Sequence, residues 1–178
     1  MWLRSFYVVS HEKELSEVVG APPWLKVAEK EIGTKEVMNG ENPRIIEYHM
    51  VTTLKATTDE IAWCSSFACW CLEQAGIKST RSAWARHFMS WGETLNTPKP
   101  GCVVVFKRGD GGHVGFFISE DKDSILVLGG NQNNSVNISE FWIRSYKNVL
   151  FLFKNRYNMS EYHIIILNFR INRRISIH

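Results

Sequence analysis

Cys64, His113 and Asn131 are the residues whose types and spacing could do chemistry together. Cys64 opens the segment Trp63 to Gly76, which the sequence predicts as a helix of about three turns. The unsatisfied N–H groups and the positive dipole end at such a helix start favour a thiolate, which makes the sulfur nucleophilic. A cysteine nucleophile needs a base that takes its proton and later returns it to the leaving group. His113 begins a predicted strand after the loop Gly109-Asp110-Gly111-Gly112, whose glycines let the backbone turn sharply or approach a substrate. The base must in turn be held in one tautomer, a task for an amide or an acid bonded to its second nitrogen. Asn131 stands in Gly129-Gly130-Asn131-Gln132 at the end of the following strand, and in an antiparallel hairpin it can approach His113. Gln132 is a second candidate for that role. The chemistry this order implies is amide hydrolysis through a thioester, which calls for no metal and no cofactor.

Blander roles compete for each residue. A free cysteine is among the most buried residue types and usually packs. Cys69, Cys71 and Cys102 lie inside apolar stretches, where packing is the better reading. His11, His49, His87, His163 and His178 are assigned to surface or cap positions, and Gly-Asn pairs are common turns. The four cysteines contain no C-x-x-C pair and do not suggest a disulfide scaffold, so free thiols are expected.

The elements that must position these residues divide the chain into helices first and strands afterwards. Pro22-Pro23 before Trp24 to Ile32 predicts a helix with Gly33 as its C-cap, and Arg44 to Met50 predicts a second. The polar run Thr57 to Glu60 offers start residues for the Cys64 helix, whose apolar stripe is Phe67, Trp70, Cys71 and Ala75. Ser79 to Trp91 is expected to form a further helix. Beyond Pro98-Lys99-Pro100-Gly101, short β-rich runs follow at Cys102 to Phe106, His113 to Ser119, Ser124 to Leu128, Val136 to Phe141, Asn148 to Phe153 and Tyr162 to Phe169. This order predicts an α+β fold, with helices packed on a small antiparallel sheet.

With 178 residues, 44% of them hydrophobic, the chain suits one domain with a single core. No apolar run approaches the roughly 20 residues needed to span a bilayer, and the N-terminus lacks the pattern of a secretory signal. Residues 141–178 hold seven Lys or Arg against one acid, a net of +6, so the remainder of this +3 chain nets −3. A basic tail could meet an anionic polymer, but a solvated face is the commoner meaning, and no nucleic-acid motif is present. Nucleic acid is not an expected partner.

The stretch from Pro23 to Asn131 resembles the CHAP-like and NlpC-like cysteine hydrolases of bacterial and phage cell-wall-degrading proteins. The matching pieces are Trp24-Leu25-Lys26-Val27-Ala28, Gly33-Thr34-Lys35-Glu36, Asn42-Pro43-Arg44-Ile45, Trp63-Cys64-Ser65-Ser66-Phe67, Pro100-Gly101, Gly112-His113-Val114-Gly115-Phe116 and Gly129-Gly130-Asn131-Gln132. Their order along the chain is more specific than any one of them. The resemblance implies a papain-like fold over residues 22–156, between an N-terminal extension (1–21) and a basic C-terminal extension (157–178). It implies peptidoglycan as substrate, cut at the amide joining sugar to stem peptide or within the peptides. Cys64, His113 and Asn131 are then the catalytic residues, and Trp63, Ser65, Glu36, Gln132 and Trp84 are candidates for the substrate side, although Trp84 reads more readily as core. Papain-like enzymes often place a Gln shortly before the cysteine as an oxyanion donor, whereas Thr57, Thr58, Asp59 and Glu60 stand here.

Without a signal sequence, the expectation is synthesis in the cytoplasm and delivery to the wall, as a phage lysin or as an antibacterial effector paired with an immunity protein. A non-catalytic module binding cell wall or protein on the same scaffold is the alternative.

Overall fold

The computed structural model describes residues 21–108, 110–142 and 149–153. The expected strand Tyr162 to Phe169, the C-terminal extension and nearly all of the N-terminal extension lie outside the described residues.

Among the described residues, three α-helices precede a sheet. Helix α1 spans Pro23–Glu29, α2 Pro43–Met50 and α3 Cys64–Gln74. Proline at the first turn pre-sets the backbone of α1 and α2, and the Asn42 side chain caps α2 by accepting from the Arg44 N–H at 2.9 Å. A 3-10 helix, Ala85–Ser90, leads to strands β1 (Glu93–Thr94), β2 (Val103–Arg108), β3 (Gly111–Glu120), β4 (Ser124–Gly129), β5 (Asn137–Trp142) and β6 (Val149–Phe153). All pairings are antiparallel, in the order β1-β6-β2-β3-β4-β5. The α+β prediction holds, and β1 is an element that the sequence reading missed.

The expected stripe on α3 understates its burial. Every residue from Cys64 to Leu72 is buried, so α3 is enclosed on all sides rather than laid on a surface. Its Phe67 ring meets Phe116 of β3 at 6.4 Å, and Tyr48 of α2 packs against Trp63, Phe67 and Trp70. Trp24 ties α1 to the sheet by donating its indole N–H to the Gly101 carbonyl at 2.7 Å. Among the described residues, no helix is long and apolar enough to cross a membrane.

The helix expected over Ser79 to Trp91 does not form as such. Ser79, Thr80 and Ser82 each accept a backbone N–H two residues ahead, from Arg81, Ser82 and Trp84, and Arg81 takes φ 53°. These local bonds compete with helical ones, leaving an irregular path until Ala85.

A polar knot fastens α1 to α2. Glu31, buried, accepts two bonds from the Arg44 guanidinium (2.6 and 2.8 Å) and one from the Tyr48 hydroxyl (2.6 Å). Arg44 also lies over the Trp70 ring at 4.5 Å. The Arg44 hydrogen bonds hold the Glu31 carboxyl below its ordinary 4.5, against the opposing pull of burial. Glu73 is held at about 2 by its bond to Arg81. A carboxylate depressed in the folded state adds stability above its unfolded value and loses it as pH falls through the folded one. Urea midpoints should therefore fall as pH drops from 4.5 towards 2. Glu31→Gln should flatten part of that fall and cost about 1–3 kcal/mol near neutral pH, by breaking charge-assisted bonds in a buried setting.

Candidate active site

Cys64 is the first residue of α3 and is buried. Trp63, at the cap position, supplies no side-chain hydrogen bond to the first turn. Asp59 does not cap α3 either. It is fully buried, and its Oδ2 accepts the backbone N–H groups of Val37 (3.0 Å) and Asn42 (2.9 Å), which fixes the 37–42 loop beside the segment leading to Cys64. A carboxylate so engaged cannot serve as an oxyanion donor.

His113 lies near the start of β3, paired with Phe106 of β2. Its ring sits against Phe106 (centroids 6.0 Å apart) and Phe141 (5.5 Å), and those two rings stack at 4.5 Å, so the imidazole plane is fixed by packing. His113 Nε2 is 3.0 Å from Gln132 Oε1. The Gln132 amide is itself orientated, since its NH2 group donates to the carbonyls of Val127 (3.2 Å) and Asn137 (2.6 Å). Only the nitrogen of a carboxamide can donate to a carbonyl, so Oε1 must face the ring, and an oxygen there can only accept. The hydrogen of this bond therefore belongs to His113 Nε2, and in the neutral ring the lone pair resides on Nδ1.

The hydrogen-bond partner of His113 Nε2 is thus Gln132, the second candidate of the sequence, rather than Asn131. The β3–β4 register, with Phe116 opposite Leu128, would set residue 131 opposite residue 113 if the strand ran on. Instead β4 ends at Gly129, Asn131 takes φ 54°, and the turn closes with Gln132 and Ser135 exchanging backbone bonds. That turn folds Gln132 back onto the imidazole.

Two bridges join the Cys64 end of α3 to the His113 end of β3. The first is Gly129-Gly130. A Cβ on Gly129 would lie 3.4 Å from His113 Nε2, and one on Gly130 only 2.5 Å from the Trp63 ring and 2.7 Å from Phe67 Cβ. Adjacent residues thus touch the histidine and the start of the cysteine helix. The second bridge is residues 82–86. Ser65 donates its hydroxyl to the Ser82 carbonyl at 2.6 Å, while Arg86 Cγ would stand 3.0 Å from a Cβ on Gly112 and its guanidinium donates to the Asp110 carbonyl at 3.1 Å. Gly130→Ala would force the Trp63 ring or the turn to move. It should destabilise the domain by about 1–3 kcal/mol, seen as a lower melting temperature, and should slow any reaction that depends on the Cys64–His113 alignment.

The proposed substrate-side residues fare unevenly. Trp63 is fully buried and donates its indole N–H to Glu36 Oε1 at 2.8 Å, so both act on the framework of the site rather than lining it openly. Ser65 is fully buried with its hydroxyl spent on Ser82, and Gln132 is buried on the histidine. Trp84 is the reverse of the core residue expected, being 64% exposed. What the sequence reading missed are the aromatic slot of Phe106 and Phe141 and the anchors Ser82 and Arg86; both rings fall in the predicted β-rich runs, while nothing local marked the anchors. None of the four cysteines forms a disulfide, and burial pushes the thiol of Cys71 well up and that of Cys102 up to about 12. Among the described residues, no cluster of three or more His, Cys, Asp or Glu could hold a metal ion.

Residues 56–131 match the family model of the CHAP domain, a span that opens before Cys64 and closes on Asn131. Over these residues the chain is similar to CHAP domains. The helix, the 3-10 segment and strands β2 to β4 all fall within the match. A CHAP-like domain suggests a cell-wall hydrolase, an amidase or peptidase, and CHAP domains typically act on peptidoglycan. No curated protein matches the chain.

Proposed function

We propose that the chain hydrolyses an amide bond of peptidoglycan through a thioester on Cys64, within a papain-like arrangement of helix and sheet. The observation that carries this reading is the locked tautomer of His113, whose Nε2–H is committed to Gln132 so that Nδ1 is the basic nitrogen. His113 Nδ1 takes the thiol proton, and the Cys64 sulfur attacks the carbonyl carbon. The charge that develops on the carbonyl oxygen is met by the N–H groups of the uncapped first turn of α3, including that of Cys64. The tetrahedral adduct collapses to the thioester as the amine leaves with the proton from His113. Water then adds to the thioester carbonyl while His113 takes its proton, releasing a carboxylate and restoring the thiol. Gln132 keeps the imidazole in register throughout and stabilises its cationic form by accepting from Nε2.

On this reading the bond cut is either the amide between the sugar lactyl group and the stem peptide or one within the peptides. The place of action is the wall, reached by phage-mediated or secretion-system-mediated delivery. Digestion of purified peptidoglycan followed by mass spectrometry of the soluble products tests it. A peptide carrying a new free α-amine is the expected product, with the mass of water added across the cleaved amide. Undigested polymer, or fragments with all amides intact, would sink the proposal.

A further inference from the structure

Trp84 is an unusually exposed indole, and its place is fixed at both ends by the residues flanking the site. Its segment is held at Ser82 by Ser65, the neighbour of Cys64, and at Ala85 and Arg86 against Gly112, the neighbour of His113. The indole therefore stands on the segment that links the neighbours of Cys64 and His113, and it is 64% exposed. It is also organised. The backbone N–H of His87 bonds the Trp84 carbonyl at 3.0 Å in the 3-10 turn, a geometry that eclipses side chains three residues apart. Their rings lie nearly parallel, 24° between planes with centroids 6.4 Å apart. An aromatic surface held flat and left exposed on that segment is available to a ligand.

We infer that the Trp84–His87 pair is a pyranose-binding subsite, which seats an N-acetylated sugar of the glycan strand beside the amide to be cut. This deepens the peptidoglycan reading and rests on it. The apolar C–H face of a pyranose ring complements a flat aromatic face, whereas the carboxylates of a stem peptide are repelled by its negative quadrupole. The substrate class recognised here is thus the sugar backbone, with the stem peptide left to the Cys64 side of the cleft. Binding a sugar in this way would also set the polymer's register before chemistry.

The test uses the full chain carrying Cys64→Ala, titrated with a soluble β-1,4-linked tetramer of N-acetylglucosamine and followed by tryptophan fluorescence and indole N–H resonances. Saturable binding is expected, weakened roughly tenfold or more by Trp84→Ala and less by Trp84→Phe, which keeps a ring. Trp142→Ala removes a comparably exposed indole on β5 and should leave the titration unchanged. No saturable binding, binding indifferent to Trp84→Ala, or a Trp84-dependent response to free stem peptide but not to the sugar would each overturn the inference. The hydrolase reading fails separately: a chain that binds the tetramer through Trp84 yet never opens peptidoglycan keeps the subsite and loses the reaction.

Discussion

Cys64→Ala is expected to reduce peptidoglycan lysis to the assay background while leaving the fold in place. The reason is chemical: alanine offers no atom that can form the thioester, and removing the nucleophile from comparable serine triads costs on the order of a million-fold. The structural cost should be small. Losing one sulfur from a buried position leaves a cavity of about one heavy atom, worth roughly 1 kcal/mol. Turbidity clearance and thermal melting of the same preparation separate the two effects. Iodoacetamide labelling near neutral pH adds a second check, because burial raises the thiols of Cys71 and Cys102 and should leave them slow. Selective modification of Cys64, with lysis lost in proportion, is the expected outcome. Lysis by Cys64→Ala at the rate of the parent would remove the thioester mechanism altogether.

The helices and strands that frame this site were legible because their signals are local. Proline at the start of α1 and α2, the Asn42 cap and the β-rich runs set between Gly, Asp and Asn clusters each act within a few residues, and the predicted segments match the observed ones closely. Cys64 at the first turn of α3 was read correctly for the same reason. Where the reading failed, the deciding contact was distant or the local chemistry was overlooked. Trp84 looked like core because an indole normally seeks burial; its exposure follows from anchors at Ser65 and Gly112 that are remote in sequence. Ser79 to Ser82 have acceptable helical neighbours, yet their hydroxyls capture the backbone N–H groups that a helix would use. The choice between Asn131 and Gln132 turned on where β4 ends, and a break at Gly129-Gly130 depends on how closely Trp63 packs there.

That choice can be measured directly. Asn131→Gly should leave hydrolysis close to the parent rate, because glycine accepts the left-handed backbone at φ 54° and the Nε2 bond of His113 runs to Gln132. Gln132→Ala should slow turnover by roughly 100-fold, a typical contribution of a well-placed general base, since the ring loses the acceptor that fixes its tautomer. The effect should fall on kcat more than on KM, and the pH–rate profile should change, which a merely structural defect would not produce. Gln132→Glu is the more informative variant. A carboxylate could still accept from His113 Nε2, but its second oxygen would face the carbonyls of Val127 and Asn137, to which the amide now donates. Two acceptors pressed together in a buried turn should cost about 1–3 kcal/mol and lower the melting temperature, where an exposed Gln→Glu change would leave it nearly unmoved. Only a carboxamide both donates to the strand and accepts from the imidazole, so this position should tolerate neither the smaller residue nor the acid. Full activity in Gln132→Ala, with loss in Asn131→Gly, would return the role to residue 131 and require a different path for the turn.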